Sequence, residues 1–204
     1  MATTEKPLLR LVWPESDIEL DLAAIQGLWT EELYLQVTDQ TNQLIEFTDG
    51  CIEVLPMPTS KHQTILAFLY ELFVATLRPM GGKVLFAALR LRIRADKYRE
   101  PDLLLLLDKN DPRNQNASWQ GADLVLEIVS PDDPERDTVI KRADYAEAGI
   151  PEYWIVNPID ETITVLTLGD NAYTVHGVFA RGSQASSLLL SGFSVSVDAV
   201  FDVE

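Results

Sequence analysis

A chain of 204 residues, 47% of them hydrophobic, carries enough apolar material for one domain with a buried core. Its single cysteine, Cys51, excludes an intrachain disulfide and a multi-cysteine zinc site. The net charge of −16 argues at first against a nucleic-acid partner, but the charge is unevenly spread: residues 1–60 carry eleven acids and two bases, residues 61–113 ten bases and six acids, and residues 114–204 fifteen acids and four bases. The basic charge is thus concentrated next to Asp102, and the acidic flanks favour solubility.

Residues 8–21 read as a short extended arm, and Thr30 to Thr38 as a short helix with Thr30 as N-cap. Leu44-Ile45-Glu46-Phe47 and Cys51-Ile52-Glu53-Val54-Leu55 flank Asp49-Gly50, a tight-turn signal for a hairpin. From Ser60 to Leu77, the apolar residues Ile65, Leu66, Leu69, Leu72, Phe73 and Leu77 follow helical spacing, with Thr59 or Ser60 as cap and Gly81-Gly82 as the stop. Strands are expected at 83–88, 89–95, 102–107 and 122–129. Asp133-Pro134-Glu135 starts another helix, which runs to about Ala148 and ends at Gly149. A strand at 151–156 is stopped by Pro158, and 162–168 with 172–178 form a second hairpin around Gly169-Asp170.

That order predicts an α/β fold with a mixed sheet. The expected organisation is an N-terminal arm and short helix (1–40), a core with flanking hairpins (41–180) and a C-terminal extension of the same domain (181–204). No apolar run reaches bilayer-spanning length and the N-terminus does not resemble a secretory signal, so a cytoplasmic protein with no membrane partner is expected.

Two acids stand inside apolar, strand-like runs. Asp102 opens Leu103–Leu107, and Glu127 interrupts Leu124-Val125-Leu126 and Ile128-Val129. A buried carboxylate is costly unless it is paired, protonated or bound to a cation. On neighbouring strands the two acids could share one divalent metal, and their hard oxygens suit Mg²⁺ or Mn²⁺ better than zinc. The plainer alternatives are a strand-opening Asp that accepts a backbone hydrogen bond, and a buried ion pair between Glu127 and an arginine such as Arg92. Asp137, Lys141, Tyr145 and Ala148 fall on one helical stripe. If the stripe faces the sheet, the Lys141 ammonium reaches the acids and completes a site for cutting phosphodiesters; if it faces solvent, Asp137–Lys141 is an ordinary surface pair. Arg90, Arg92 and Arg94 share one strand face, either as a solvated outer face or as a phosphate-contacting ribbon. His62, at the start of the long helix, is a cap or an assistant to the site. Glu46 and Glu53 are candidates for a third acid or exposed hairpin positions.

As a set, these residues resemble a known family. Asp49-Gly50, His62, Arg99-Glu100-Pro101-Asp102, Glu127-Ile128-Val129-Ser130-Pro131, the Asp137/Lys141/Tyr145 stripe and Glu152-Tyr153-Trp154-Ile155-Val156 resemble the Uma-type restriction endonucleases, a branch of the PD-(D/E)XK nuclease superfamily. The resemblance spans about Ile45 to Val165. It implies a restriction-endonuclease-like core of helix, three-stranded meander, helix and strand, a Mg²⁺-dependent cut of DNA with Asp102 and Glu127 as metal ligands, and a homodimer. One position departs from the superfamily pattern: Val129 stands where a lysine normally follows the acid by two residues, and Lys141 is the expected replacement. Two rivals remain, a DNA-binding module of the same fold that does not cut, and a structural protein whose acids merely pair with Arg92 or Arg94.

Overall fold

The computed structural model describes residues 25–204, together with the backbone of residues 10–13 and 16–19. The extended arm expected at 8–21 lies partly outside these residues. Its described parts, β1 (Arg10–Trp13) and β2 (Ser16–Glu19), pair antiparallel. Helix α1 (Glu31–Thr38) is capped as expected, with Thr30 Oγ1 accepting from Leu33 N at 3.1 Å. The hairpin of β3 (Ile45–Thr48) and β4 (Cys51–Val54) turns on Asp49 (φ 47°) and Gly50 (φ 83°). Gly50 is required there twice over. Its φ is left-handed, and a Cβ would meet the Gly27 carbonyl oxygen at 2.9 Å.

Helix α2 (Ser60–Leu77) begins at the Thr59 cap and ends through a 3₁₀ turn, Arg78–Met80, at left-handed Gly81. It buries Ile65, Leu66, Leu69, Phe73 and Leu77 against the main sheet, the stripe its periodicity predicted. The chain continues through β5 (Lys83–Phe86), β6 (Leu91–Arg94), β7 (Lys97–Arg99), β8 (Leu103–Leu106) and β9 (Leu124–Ile128). A helical stretch follows that starts as a π-helical turn, Arg136–Ile140, and continues as α3 (Lys141–Glu147). Then come β10 (Glu152–Asn157), β11 (Thr162–Leu168), β12 (Tyr173–Phe179), β13 (Gln184–Ser186), β14 (Ser194–Ser196) and α4 (Val197–Phe201).

The main sheet has the order β12-β11-β10-β9-β8-β5 and is mixed: β9 and β10 run parallel across the helical crossover, and the other pairs are antiparallel. The α/β core of helix, three-stranded meander (β5-β8-β9), helix and strand is therefore present. The strand expected at 89–95 does not join that meander. It forms β6, and β7, which sequence periodicity did not separate, links it to the first hairpin in a second sheet of order β4-β3-β7-β6. One apolar cluster lies between the main sheet, α2 and the C-terminal segment; a second covers the opposite face of that sheet.

Glu152 fastens the C-terminal segment to the sheet. Its buried carboxylate accepts from Trp154 Nε1 (2.7 Å), Ser187 Oγ (2.6 Å), and Leu188 and Leu189 N (2.8 Å each). Such donor-rich geometry offsets the desolvation of the acid. Glu152→Ala leaves these donors unpaired and is expected to destabilise the protein by about 3 kcal/mol. Hydrogen exchange is expected to show the loss first at residues 187–201.

Candidate active site

Register brings the two acids together. Leu103 pairs with Leu126 across β8 and β9, so Asp102 and Glu127 stand at the same end of adjacent strands. Asp102 Oδ2 accepts from Ile128 N at 2.7 Å and meets His62 Nε2 at 3.1 Å, while Glu127 Oε2 lies 3.4 Å from Asp102 N. His62 comes from the first turn of α2, where its backbone N–H also donates to the Thr59 cap.

The stripe on the second helix faces inward. Asp137, Lys141 and Tyr145 are all buried. Lys141 Nζ lies 2.9 Å from Glu127 Oε1, 3.2 Å from Asp137 Oδ1 and 3.7 Å from Glu46 Oε1. The Tyr145 hydroxyl donates to Glu127 Oε1. Val129, where the superfamily pattern has its lysine, is instead buried in the apolar cluster on the face that α3 covers. The ammonium thus arrives from the helix above the strand.

Sequence reasoning left Glu46 undecided and did not single out Arg136. Glu46 is buried on β3, opposite Glu53 of β4. Arg136 spans that pair, with one guanidinium nitrogen 2.8 Å from Glu46 Oε2 and the other 2.8 Å from Glu53 Oε1. The available signal was alternation: Ile45 and Phe47 belong to an apolar cluster on one face of β3, which puts Glu46 on the other. Arg99 lies 3.6 Å from the same Glu46 oxygen and pairs with buried Asp144 at 2.7 Å. A cavity of about 330 Å³ opens over the cluster, lined among others by His62, Asp102, Glu127, Arg136, Asp137 and Lys141.

Arg90, Arg92 and Arg94 do not line this cavity. Leu91 and Ile93 of β6 are buried, and the arginines occupy the opposite face as alternation predicted. Each meets an acid of its own chain: Arg90 pairs with Asp39, Arg92 with Glu31, and Arg94 with Asp49 and Glu147.

Electrostatics differentiates three acids of the cluster. Burial pushes Glu46 up, but the charges of Lys141, Arg136 and Arg99 overcome it and hold its carboxyl at about 2. Burial also raises Glu127, to about 8, because the neighbouring charges of Asp102 and Asp137 offset the help from Lys141. Asp137 is raised as well, again chiefly by burial. Burial opposes the charge on Lys141, yet the surrounding carboxylates raise it above the usual lysine range, so the ammonium stays protonated. Desolvation lowers His62, but its bond to Asp102 and the charges of Asp102 and Asp137 together overcome it and raise it.

The donor set fits a hard divalent cation. Among the described residues no group of three or more His, Cys, Asp or Glu side chains is arranged to hold a metal. Mg²⁺, however, commonly takes one or two carboxylates and fills its remaining positions with water and phosphate oxygens. Asp102 Oδ2 and Glu127 Oε1 are occupied by His62, Ile128, Lys141 and Tyr145. That leaves Asp102 Oδ1 without a protein partner, and Glu127 Oε2 with only the long bond from Asp102 N at 3.4 Å, as the oxygens most open to a cation.

The fold is restriction-endonuclease-like. Residues 31–198 match the family Uma2, described as "putative restriction endonuclease", and the chain belongs to that family. Its fold is similar to that of the crystal structure of a "putative nuclease belonging to DUF820" from Anabaena variabilis ATCC 29413, with a TM-score of 0.66 at 20% identity over 82% of this chain and 97% of that one. No curated protein sequence matches. No helix among the described residues is long and apolar enough to cross a membrane.

Buried Glu100, beside the site, offers a test of these electrostatics. Burial and the Glu46 charge raise it to about 7, while its Oε2 accepts from Ile45 N at 2.9 Å. The unfolded carboxyl ionises at its ordinary value and the folded one does not, so this group lowers stability as pH rises from about 4.5 to 7. Glu100→Gln keeps an acceptor and removes the titration. Urea denaturation is expected to show no difference at pH 4 and a variant more stable by up to about 3 kcal/mol at pH 8.

Proposed function

We propose that this protein is a metal-dependent DNA endonuclease that hydrolyses phosphodiester bonds at the Asp102/Glu127/Lys141 cluster, with Mg²⁺ as cofactor and Mn²⁺ as a substitute. The observation that carries the reading is the buried Lys141 ammonium, 2.9 Å from Glu127 and under the same cavity that Asp102 lines. A buried cation placed among acids at an open pocket provides a charge aimed at a bound phosphate, whereas a purely structural ion pair needs no cavity.

Asp102 and Glu127 would hold the cation, which when bound lowers the pKa of water and polarises a phosphoryl oxygen. Lys141, kept protonated, orients the attacking water and offsets charge developing on the phosphorane. Tyr145 fixes the Glu127 carboxylate through its hydroxyl, and His62 fixes Asp102. Attack is in line, with no covalent enzyme intermediate. Arg90, Arg92 and Arg94 would act as an outer contact to the strand only by exchanging their present acidic partners for phosphates. A homodimer in the cytoplasm remains the working expectation.

Incubation of supercoiled plasmid with Mg²⁺ or Mn²⁺ is expected to give nicked and linear products, abolished by EDTA. Asp102→Asn, Glu127→Gln and Lys141→Ala are each expected to lower the rate about a hundredfold or more. Absence of any nicking, or full activity in Glu127→Gln, sinks the proposal in favour of a non-cutting protein of the same fold.

Metal binding should also depend on pH in a defined direction. Burial raises the Glu127 carboxyl, so a proton competes with a cation for it. Affinity for Mn²⁺ measured by calorimetry is therefore expected to strengthen between pH 6 and 8, by up to about tenfold per unit, with about one proton released per ion.

A further inference from the structure

We infer that the cavity takes an unpaired nucleotide, so that the preferred substrate is single-stranded or locally unpaired DNA rather than continuous duplex. The inference rests on the nuclease reading above and narrows it to a substrate class.

Asp102 is partly exposed, but the other site groups lie deep. Glu127 is 2% exposed, and Asp137 and Lys141 are each 4% exposed. A phosphodiester reaches them only through the cavity of about 330 Å³ above them. That volume is at the small end of ordinary ligand pockets and suits a single nucleotide unit. A double helix, with its bases stacked inside and a second strand beside each phosphate, cannot bring one linkage to that depth without extruding a nucleotide.

Part of the cavity wall is apolar and suits a nucleobase. Its lining includes Leu55-Pro56-Met57-Pro58, Pro131 and Pro158. Four prolines hold these segments stiff, so the walls are formed before anything binds. Met57, which lines the cavity, is 81% exposed. A thioether is polarisable and contacts an aromatic ring favourably. A phosphate needs none of this surface, but the base attached to it does.

The charge distribution argues the same way. Sequence alone placed ten bases in residues 61–113, which would form a track for duplex backbone. Six of those, Arg90, Arg92, Arg94, Lys97, Arg99 and Arg113, are paired with acids of the chain itself. Asp132 and Asp133 add negative charge at the cavity lining. A surface of this kind gives little counterion release to an extended duplex. Affinity must then come from base burial, which only an unstacked base provides.

The test compares one DNA sequence as a single strand, as a duplex with one unpaired nucleotide and as a continuous duplex, each carrying 2-aminopurine at the position next to the expected cut. With wild-type protein and Mn²⁺, cleavage of the unpaired forms is expected to exceed that of the duplex at least about tenfold. Titration with Glu127→Gln protein reads binding without cleavage. The emission of the unpaired 2-aminopurine is expected to change on binding, with duplex binding at least about tenfold more weakly. Met57→Glu, at an exposed position, is expected to melt like wild type and to weaken binding of the unpaired strand at least about fivefold. Equal or faster cutting of continuous duplex overturns the inference, as does Met57→Glu binding with wild-type affinity. If no strand is cut, the nuclease reading fails, and the 2-aminopurine titration alone decides: preference for the unpaired base upholds nucleotide docking, and equal affinity for all three DNAs overturns it.

Discussion

The cost of taking carboxylates out of water governs this structure. Asp102, Glu127 and Asp137 line one cavity, Glu46 joins them through Lys141, and Glu46 and Glu127 are almost fully enclosed. Such a concentration of like charge cannot persist unless cations stand among the acids or protons neutralise some of them. Lys141 sits within 4 Å of Glu46, Glu127 and Asp137, and Arg136 takes the second oxygen of Glu46. The result is unequal: Glu46 is firmly ionised, whereas Glu127 is pushed toward neutrality. Well-compensated Glu46 is a structural anion, and under-compensated Glu127 has the stronger call on an added cation.

The same network joins the two sheets. Glu46 belongs to the four-stranded sheet, Glu127 to the six-stranded one, and the helical crossover carries both Arg136 and Lys141. Arg99 extends the linkage by bonding Asp144 of α3 and Thr48 of β3. The π-helical turn at Arg136–Ile140 lies at the centre of these contacts, with Lys141 N–H reaching back to the Arg136 carbonyl. Wide turns of this sort recur where side chains must be re-aimed at a site. Here the turn delivers Arg136 to the hairpin acids and Asp137 to Lys141.

The acidic composition acquires a local meaning from these contacts. Glu31, Asp39, Asp49, Glu147 and Asp144 neutralise the arginine strand and its neighbours. All five come from the acidic N-terminal third of the chain or from α3. The basic segment therefore holds the second sheet and α1 in place instead of presenting a continuous positive face. What remains under the cavity is a small, deep set of charges suited to one phosphate.

Much of this was legible in the chain itself. Helical spacing located α2, Thr30 and Thr59 marked caps, Asp49-Gly50 marked its turn, and acids interrupting apolar runs singled out Asp102 and Glu127, because these signals act over a few residues and carry their own periodicity. The facing of the Asp137/Lys141/Tyr145 stripe was left open by the sequence, since one helical pattern serves an inward or an outward charge equally well until a sheet lies beneath it. Residues 91–94, part of an expected strand, joined a different sheet from the one expected, and 97–99 formed a strand that was not expected, because strand propensity names no partner. Glu46 with Arg136, Arg99 with Asp144 and Glu152 with Ser187 are separated by 90, 45 and 35 positions. Only folding brings such pairs into contact, and only contact decides which buried charges are satisfied and which are left available for chemistry.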